Sequence, residues 1–153
     1  MAINPTQLVL TVADLGSGYA SDPSQSGPVG TTLLGASYKA GFTGTTSTQF
    51  QSVASLADVL PSAAIAQPLV SALAATLARQ PEAQPLPSPS DLGTGAAAYA
   101  FHNQVNLQSV VWVNRNILFD LTVGAKAPLP STDDLLQLAR IMNARAIAAT
   151  EHP

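Results

Sequence analysis

His102, Ser109 and Asp120 are the residue types a nucleophilic hydrolase uses: a hydroxyl to attack, an imidazole to take its proton and a carboxylate to orient the ring. Such a set needs the histidine between the other two and an oxyanion hole beside the serine. The turn spacing argued below puts Ser109 across from Asp120. However, the chain holds no Gly-x-Ser-x-Gly elbow, and its serines fall in strands, loops or a proline-rich stretch. The trio is therefore read as polar residues on a partly solvated strand face, or as the polar patch of a ligand groove. Nucleophilic catalysis by the trio is kept as one alternative, and a separate one has Asp120 act as base with His102 or Tyr99 as proton donor.

Other candidates carry less chemistry. Gly16-Ser17-Gly18 lacks the strand and the Gly-x-Gly-x-x-Gly spacing of a phosphate loop. Asp133-Asp134 has no Asp-x-Asp-x-Asp loop around it and reads as helix capping rather than calcium ligation. Arg140 and Arg145 read as solvated cations near a helix C-terminus. Trp112 reads as core, with ligand stacking as the other role. Tyr19 either anchors an N-terminal loop or lines a groove. There is no cysteine, and the only histidines are His102 and His152, so disulfides, thiolate nucleophiles and multi-histidine metal sites are excluded. No metal and no cofactor is expected.

The elements that must position these residues follow from composition and pattern. At 153 residues the chain suits a single domain, 1–153, with a core of its own. Charged residues make up 10% of it, against about 25% in an average domain. The net charge of −3 and six scattered basic residues argue against nucleic acid. The 46% apolar content argues against disorder. The longest weakly polar stretch, Ala63 to Ala78, is too short and too interrupted to span a membrane.

Residues 1–31 read as an N-terminal segment and loop, with one helical turn at Thr11–Leu15 and then too many glycines and prolines for regular structure. Thr32–Phe42 alternates as a strand, with Leu34, Ala36, Tyr38, Ala40 and Phe42 on one face. Thr43-Gly44-Thr45 turns the chain into a second strand, Thr46–Ser55, to make a hairpin. Residues 56–80 read as helical, with a short turn ending near Ala66 and a helix from Gln67 to Arg79 that has Pro68 in its first turn. The prolines at 81, 85, 87 and 89 predict an extended surface crossover over 81–91. Ala96–His102, Leu107–Val113 and Asn116–Val123 predict a three-stranded meander turning at 103–106 and at Asn114-Arg115. Ser131 to about Ala149 predicts a helix with the stripe Leu135, Leu138, Ala139, Met142, Ala146 and Ala149. The expected fold class is α+β: an antiparallel β-sheet, hairpin plus three-stranded meander, packed against two main helices.

These turns set a register. One sheet face then collects Tyr99, Phe101, Val110, Trp112, Ile117, Phe119 and Leu121, and both helices are expected to pack on it. The other face collects Ala98, Ala100, His102, Leu107, Ser109, Val111, Leu118, Asp120 and Thr122. A second face that keeps Val111 and Leu118 at its centre calls for a cover. We expect Ala98, Ala100, Val111 and Leu118 to floor a contact surface for a hydrophobic ligand or a protein partner, with His102, Ser109 and Asp120 orienting it. The competing expectation is that residues 3–20 fold over this face.

Four short motifs add a resemblance. Ala13-Asp14-Leu15 with Gly18-Tyr19 resembles the Ala-Asp-Leu-Pro-x-Gly-Tyr opening of bacterial extracellular sensor-like lipoprotein domains, with Gly16 where proline is usual. Leu92-Gly93-Thr94 through Tyr99 resembles their Leu-Gly-Asp-x-Ala-x-Ala-Tyr strand entry, with Thr94 replacing Asp. Val110–Ile117 resembles their hairpin, with Arg115 where glycine is usual, and Leu135–Arg140 resembles their Leu-x-x-Leu-Ala-Arg helix. The resemblance is to the PsbP/LpqN-like group. It implies an α+β fold and a non-enzymatic lipoprotein or assembly subunit, and it transfers no catalytic residue. The function expected is a non-enzymatic binding or interaction domain of a bacterial envelope or secreted protein. The alternatives are a small cystatin-like or nuclear-transport-factor-like cone working as an isomerase or hydrolase through Asp120, and a structural or assembly subunit, including a homo-oligomer. Met1–Pro5 lacks the basic and apolar regions of a signal peptide. The expectation is a secreted or envelope-attached protein whose leader is not in this sequence, with a cytoplasmic one as the alternative.

Overall fold

The computed structural model describes residues 2–32, 35–102, 106–126 and 130–151. The strands are β1 (Ala20–Ser21), β2 (Gly27–Thr32), β3 (Gly35–Thr43), β4 (Ser52–Val59), β5 (Ala83–Leu86), β6 (Thr94–His102), β7 (Asn106–Asn114) and β8 (Ile117–Ala125). The α-helices are α1 (Val12–Leu15), α2 (Ala63–Ala78) and α3 (Thr132–Glu151). All pairings are antiparallel, in the order β1-β3-β4-β8-β7-β6-β5, and β2 joins β1 on the outer edge of β3. The expected α+β architecture of an antiparallel sheet with helices packed on it holds, with more strands than the pattern suggested.

The register sorts the sheet into two faces. On one lie Phe42, Val53, Ala57, Val123, Leu121, Phe119, Ile117, Val110, Trp112 and Ala98. Helix α3 packs here with Leu135, Ala139, Met142 and Ala146, and the N-terminal segment adds Leu8, Val9 and Leu10. Trp112 stacks on Phe119 with ring centroids 4.8 Å apart. Its indole N–H donates to Asn143 Oδ1 at 3.2 Å, so the buried polar tip is satisfied. Ser55, in the middle of this apolar layer, accepts the Leu10 amide at 3.1 Å and pins the segment to β4.

Helix α2 covers the other face. Ala66 and Val70 bury Val111, Val113 and Leu118 beneath them. Gly95, at φ +67, lets the backbone pass close under Val70; a Cβ there would lie 2.8 Å from its Cγ1. The two helices thus take opposite faces, not the one face expected. Residues 3–10 pack on the α3 face and leave the second face to α2.

Several local readings are corrected. Helix α2 begins at Ala63 and carries Pro68 inside it, not in its first turn. The acceptor Pro68 cannot use is the carbonyl of Ala64, a solvent-exposed residue whose C=O water can serve. The second strand runs Ser52–Val59, not Thr46–Ser55, so Leu56–Val59 is strand where a helix was expected. Residues 44–51 form the connection, where the Thr48 hydroxyl bonds the Thr45 and Phe50 carbonyls. Within the proline-rich stretch, Ala83–Leu86 is an edge strand, the one place in a sheet where Pro85 costs no ladder bond. Residues 20–21 and 27–32 also join the sheet despite their glycines. Leu34 and most of the expected turn at 103–106 lie outside the described residues.

Candidate functional site

The register of the meander decides which polar residues meet. His102 pairs with Asn106, so the connection between β6 and β7 is three residues long, not four. That single residue flips β6 relative to β7. Ala98, Ala100 and His102 therefore share the α3 face with Val110, while Tyr99 and Phe101 move to the α2 face with Ser109 and Leu107. The second turn is Arg115-Asn116 rather than Asn114-Arg115. Arg115 takes φ +55, and Asn116 is fixed by a side-chain bond to the Leu60 carbonyl and by accepting the Leu60 amide. This shift is two residues, so faces are kept but partners change. Ser109 lies across from Thr122, and Asp120 lies across from Val111.

The expected site is split as a result. His102 bonds Asn106 Oδ1 at 3.4 Å on the opposite face from Ser109 and Asp120, so the catalytic trio is not assembled. Ala98 and Ala100 are buried on the α3 face. Val111 and Leu118 do share the second face, but α2 covers them, leaving 0% and 7% of each exposed. They are core, not an open floor.

What α2 leaves uncovered is the half of this face built by β3, β4 and the middle of β8. The cross-strand row Lys39–Leu56–Asp120 runs over it, with Ala54–Thr122–Ser109 as the next row. A groove of about 390 Å³ is lined by Lys39, Ala54, Ser55, Leu56, Asp120 and Thr122. A second hollow of about 260 Å³ shares Thr122 and continues past Ser109, Leu107 and Phe101 to Leu77 and Gln80 at the end of α2. The Ser109 and Thr122 hydroxyls bond each other at 2.7 Å, and Thr122 Oγ1 donates to Asp120 Oδ1 at 3.4 Å. Lys39 Nζ donates to Gln25 Oε1 at 3.0 Å. Burial pushes the Asp120 carboxyl up to about 6, against the opposing effects of the Thr122 hydroxyl and the Lys39 charge.

The remaining candidates have structural roles. Gly16 and Gly18 take positive φ after α1, not ahead of a helix, so they cradle nothing. The Ser131 hydroxyl donates to Asp134 at the start of α3. Arg140 pairs with Asp91 at the surface. Arg145 is not a solvated cation: its guanidinium donates to Asp14 at 2.7 Å and to the Val9 carbonyl at 2.6 Å. Burial works to raise Asp14, but the Thr11 amide and Arg145 outweigh it and hold this carboxyl below its usual range. Tyr19 anchors the loop, its hydroxyl accepting the Phe50 amide at 3.0 Å. Among the described residues, no group of three acidic, histidine or cysteine side chains could hold a metal ion, and no helix is long and apolar enough to cross a membrane.

Sequence reasoning found Asp120 and Ser109 but not Lys39, Ala54 or Leu56. The signal was present in the period-two alternation of 35–43 and 52–59, which puts Lys39 and Leu56 on the face away from Phe42 and Val53. No protein-family model matches the chain, and no curated protein matches it.

Proposed function

We propose that the chain is a non-enzymatic binding domain of a bacterial envelope or secreted protein, and that its ligand occupies the groove over β3, β4 and β8. The observation that carries this reading is the groove's make-up. Leu56, Ala54 and the Thr122 methyl supply apolar wall, and Ser109, Thr122, Asp120 and Lys39 supply a few convergent polar groups. That mixture, in a hollow of this size, is the usual composition of a small-molecule site. The short motifs resembling the PsbP/LpqN-like group point to the same class of protein and to the envelope, which fractionation of the native protein tests.

A second reading has one observation in its favour. A carboxyl raised to about 6 in a groove suits a general base. Neither expected donor serves it: His102 is on the other face, and Tyr99, two strands away on β6, does not line the groove.

Titration with the neutral fluorophore N-phenyl-1-naphthylamine tests the binding reading. Saturable fluorescence with the native chain, lost in a folded Leu56→Glu variant, supports it. Equal fluorescence from both proteins, or none from either, overturns it. Turnover of simple esters or ketones with a rate dependence near the Asp120 titration, abolished by Asp120→Asn, would favour the enzyme.

A further inference from the structure

We propose that the Asp120 end of the groove is a receptor for an alkylammonium group, and that the ligand is a small amphiphilic amine. The proposal rests on the reading of the groove as a binding site and names the chemistry of its occupant.

An ionised carboxylate has acceptor capacity for about four hydrogen bonds. Here Asp120 lines the groove with one hydrogen-bond partner among the described residues, Thr122, at the long distance of 3.4 Å. A part-buried charge so poorly partnered is costly unless something else pairs with it. The hydroxyl chain Ser109–Thr122 supplies one donor and leaves the groove-facing side of the carboxylate open.

The groups facing Asp120 can be taken element by element. On β3, Lys39 is drawn to Gln25 and makes no ion pair with Asp120. On β4, Leu56 lies directly opposite, and the next residue on this face, Asp58, is a second carboxylate, held by the Ser37 hydroxyl at 2.6 Å. On β7, Val111 and Ser109 are neutral. Helix α2 has no charged side chain along its length. The groove lining carries one carboxylate and one ammonium, and because Lys39 is held by Gln25 and reaches Asp120 only through its field, the carboxylate is left open to a further cation.

Leu56 and Ala54 flank the carboxylate, and beyond Thr122 the hollow is walled by Leu107, Phe101 and Leu77. An ammonium at Asp120 therefore has an apolar path for an alkyl chain to follow. An arriving ammonium restores the ion pair the protein lacks, and such charge-assisted bonds are strongest where water is partly excluded.

The test uses three probes of equal length: n-hexylammonium, n-hexanol and n-hexanoate. Binding is followed by the backbone amides of residues 54, 56, 120 and 122 in NMR spectra of the native chain. The Asp120 side-chain carboxyl is titrated with and without amine. The expected result is that hexylammonium binds about tenfold tighter than hexanol at neutral pH, as a bond to a charged partner implies. Its saturation should lower the Asp120 titration midpoint, because a bound cation favours the ionised form. Asp120→Asn should bring hexylammonium down to the level of hexanol. If hexanol or hexanoate binds in the groove as tightly as the amine, or if Asp120→Asn keeps the preference, the ammonium receptor is wrong while the groove remains a binding site. If none of the three moves these amides, both readings fall. The carboxyl titration on the native chain keeps the test valid should the variant misfold.

Discussion

Replacing Asp120 by Asn should make the protein more stable at neutral pH and leave it unchanged in acid. In the folded state burial raises this carboxyl from its ordinary 3.8 to about 6. Between those values the native chain holds a proton that the unfolded chain has released. Stability therefore falls as pH rises through the window, and the loss is complete above about pH 6. At about 1.4 kcal/mol per pH unit the full difference is at most about 3 kcal/mol. Water enters the groove and screens the charge, so about 1–2 kcal/mol is the expected gain from Asn. For a chain of this length that is roughly 3–6 °C in Tm. Urea unfolding followed by the emission of Trp112, the single tryptophan and fully buried, measures it directly. Asn and Asp forms should unfold together near pH 4 and separate progressively toward pH 7. A variant less stable than the native chain at neutral pH, or a gain of the same size at both ends of the range, refutes the reasoning. A stabilising loss of charge at a groove floor is what a group retained for binding predicts.

Leu118→Asp should abolish the fold or cost more than about 3 kcal/mol, because it puts an unpaired carboxylate beneath α2; thermal melting checks it, and a folded variant would mean α2 does not seat as described. Arg115→Gly should raise stability by about 1 kcal/mol, since Arg115 holds a left-handed φ of +55 that glycine adopts without strain; the readout is the urea midpoint. Asn143→Leu removes the acceptor shared by the Trp112 indole and the Asn114 amide, which donates at 3.0 Å, and should cost about 1–3 kcal/mol with a visible change in Trp112 emission.

Elements with a strong internal pattern were legible in the sequence. The α3 stripe from Leu135 to Ala146 and the pairing of β7 with β8 follow from periodicity and a short turn. So does the burial of Trp112, Ile117, Phe119 and Leu121. What failed was long-range or one residue deep. Leu56–Val59 runs into an alanine-rich segment, so its strand character depends on β3 and β8, which flank it only in the fold. A three-residue connection in place of four moved Ala98, Ala100 and His102 off the face of Asp120, and no local preference of those residues opposes either choice. Thr122 was placed on the right face, but its neighbours Lys39 and Leu56 belong to strands whose partners sequence spacing could not supply. Residues 20–21 and 27–32 join the sheet because β3 offers them an edge, which in 27–32 overrides the glycines.

The clasp between Arg145 and the Val9 carbonyl joins residues 136 positions apart, and its second arm reaches Asp14 over 131. The start of this domain is thus completed by its last helix. During synthesis, Leu8, Val9 and Leu10 emerge well over a hundred residues before the helix that closes their layer. Until α3 arrives, the Trp112 face of the sheet has no lid, and contacts of such long sequence separation form slowly. The nascent domain consequently remains open to chaperones and proteases until α3 has been made, and shortening it ahead of Thr132 should leave a sheet that aggregates rather than a smaller version of the domain.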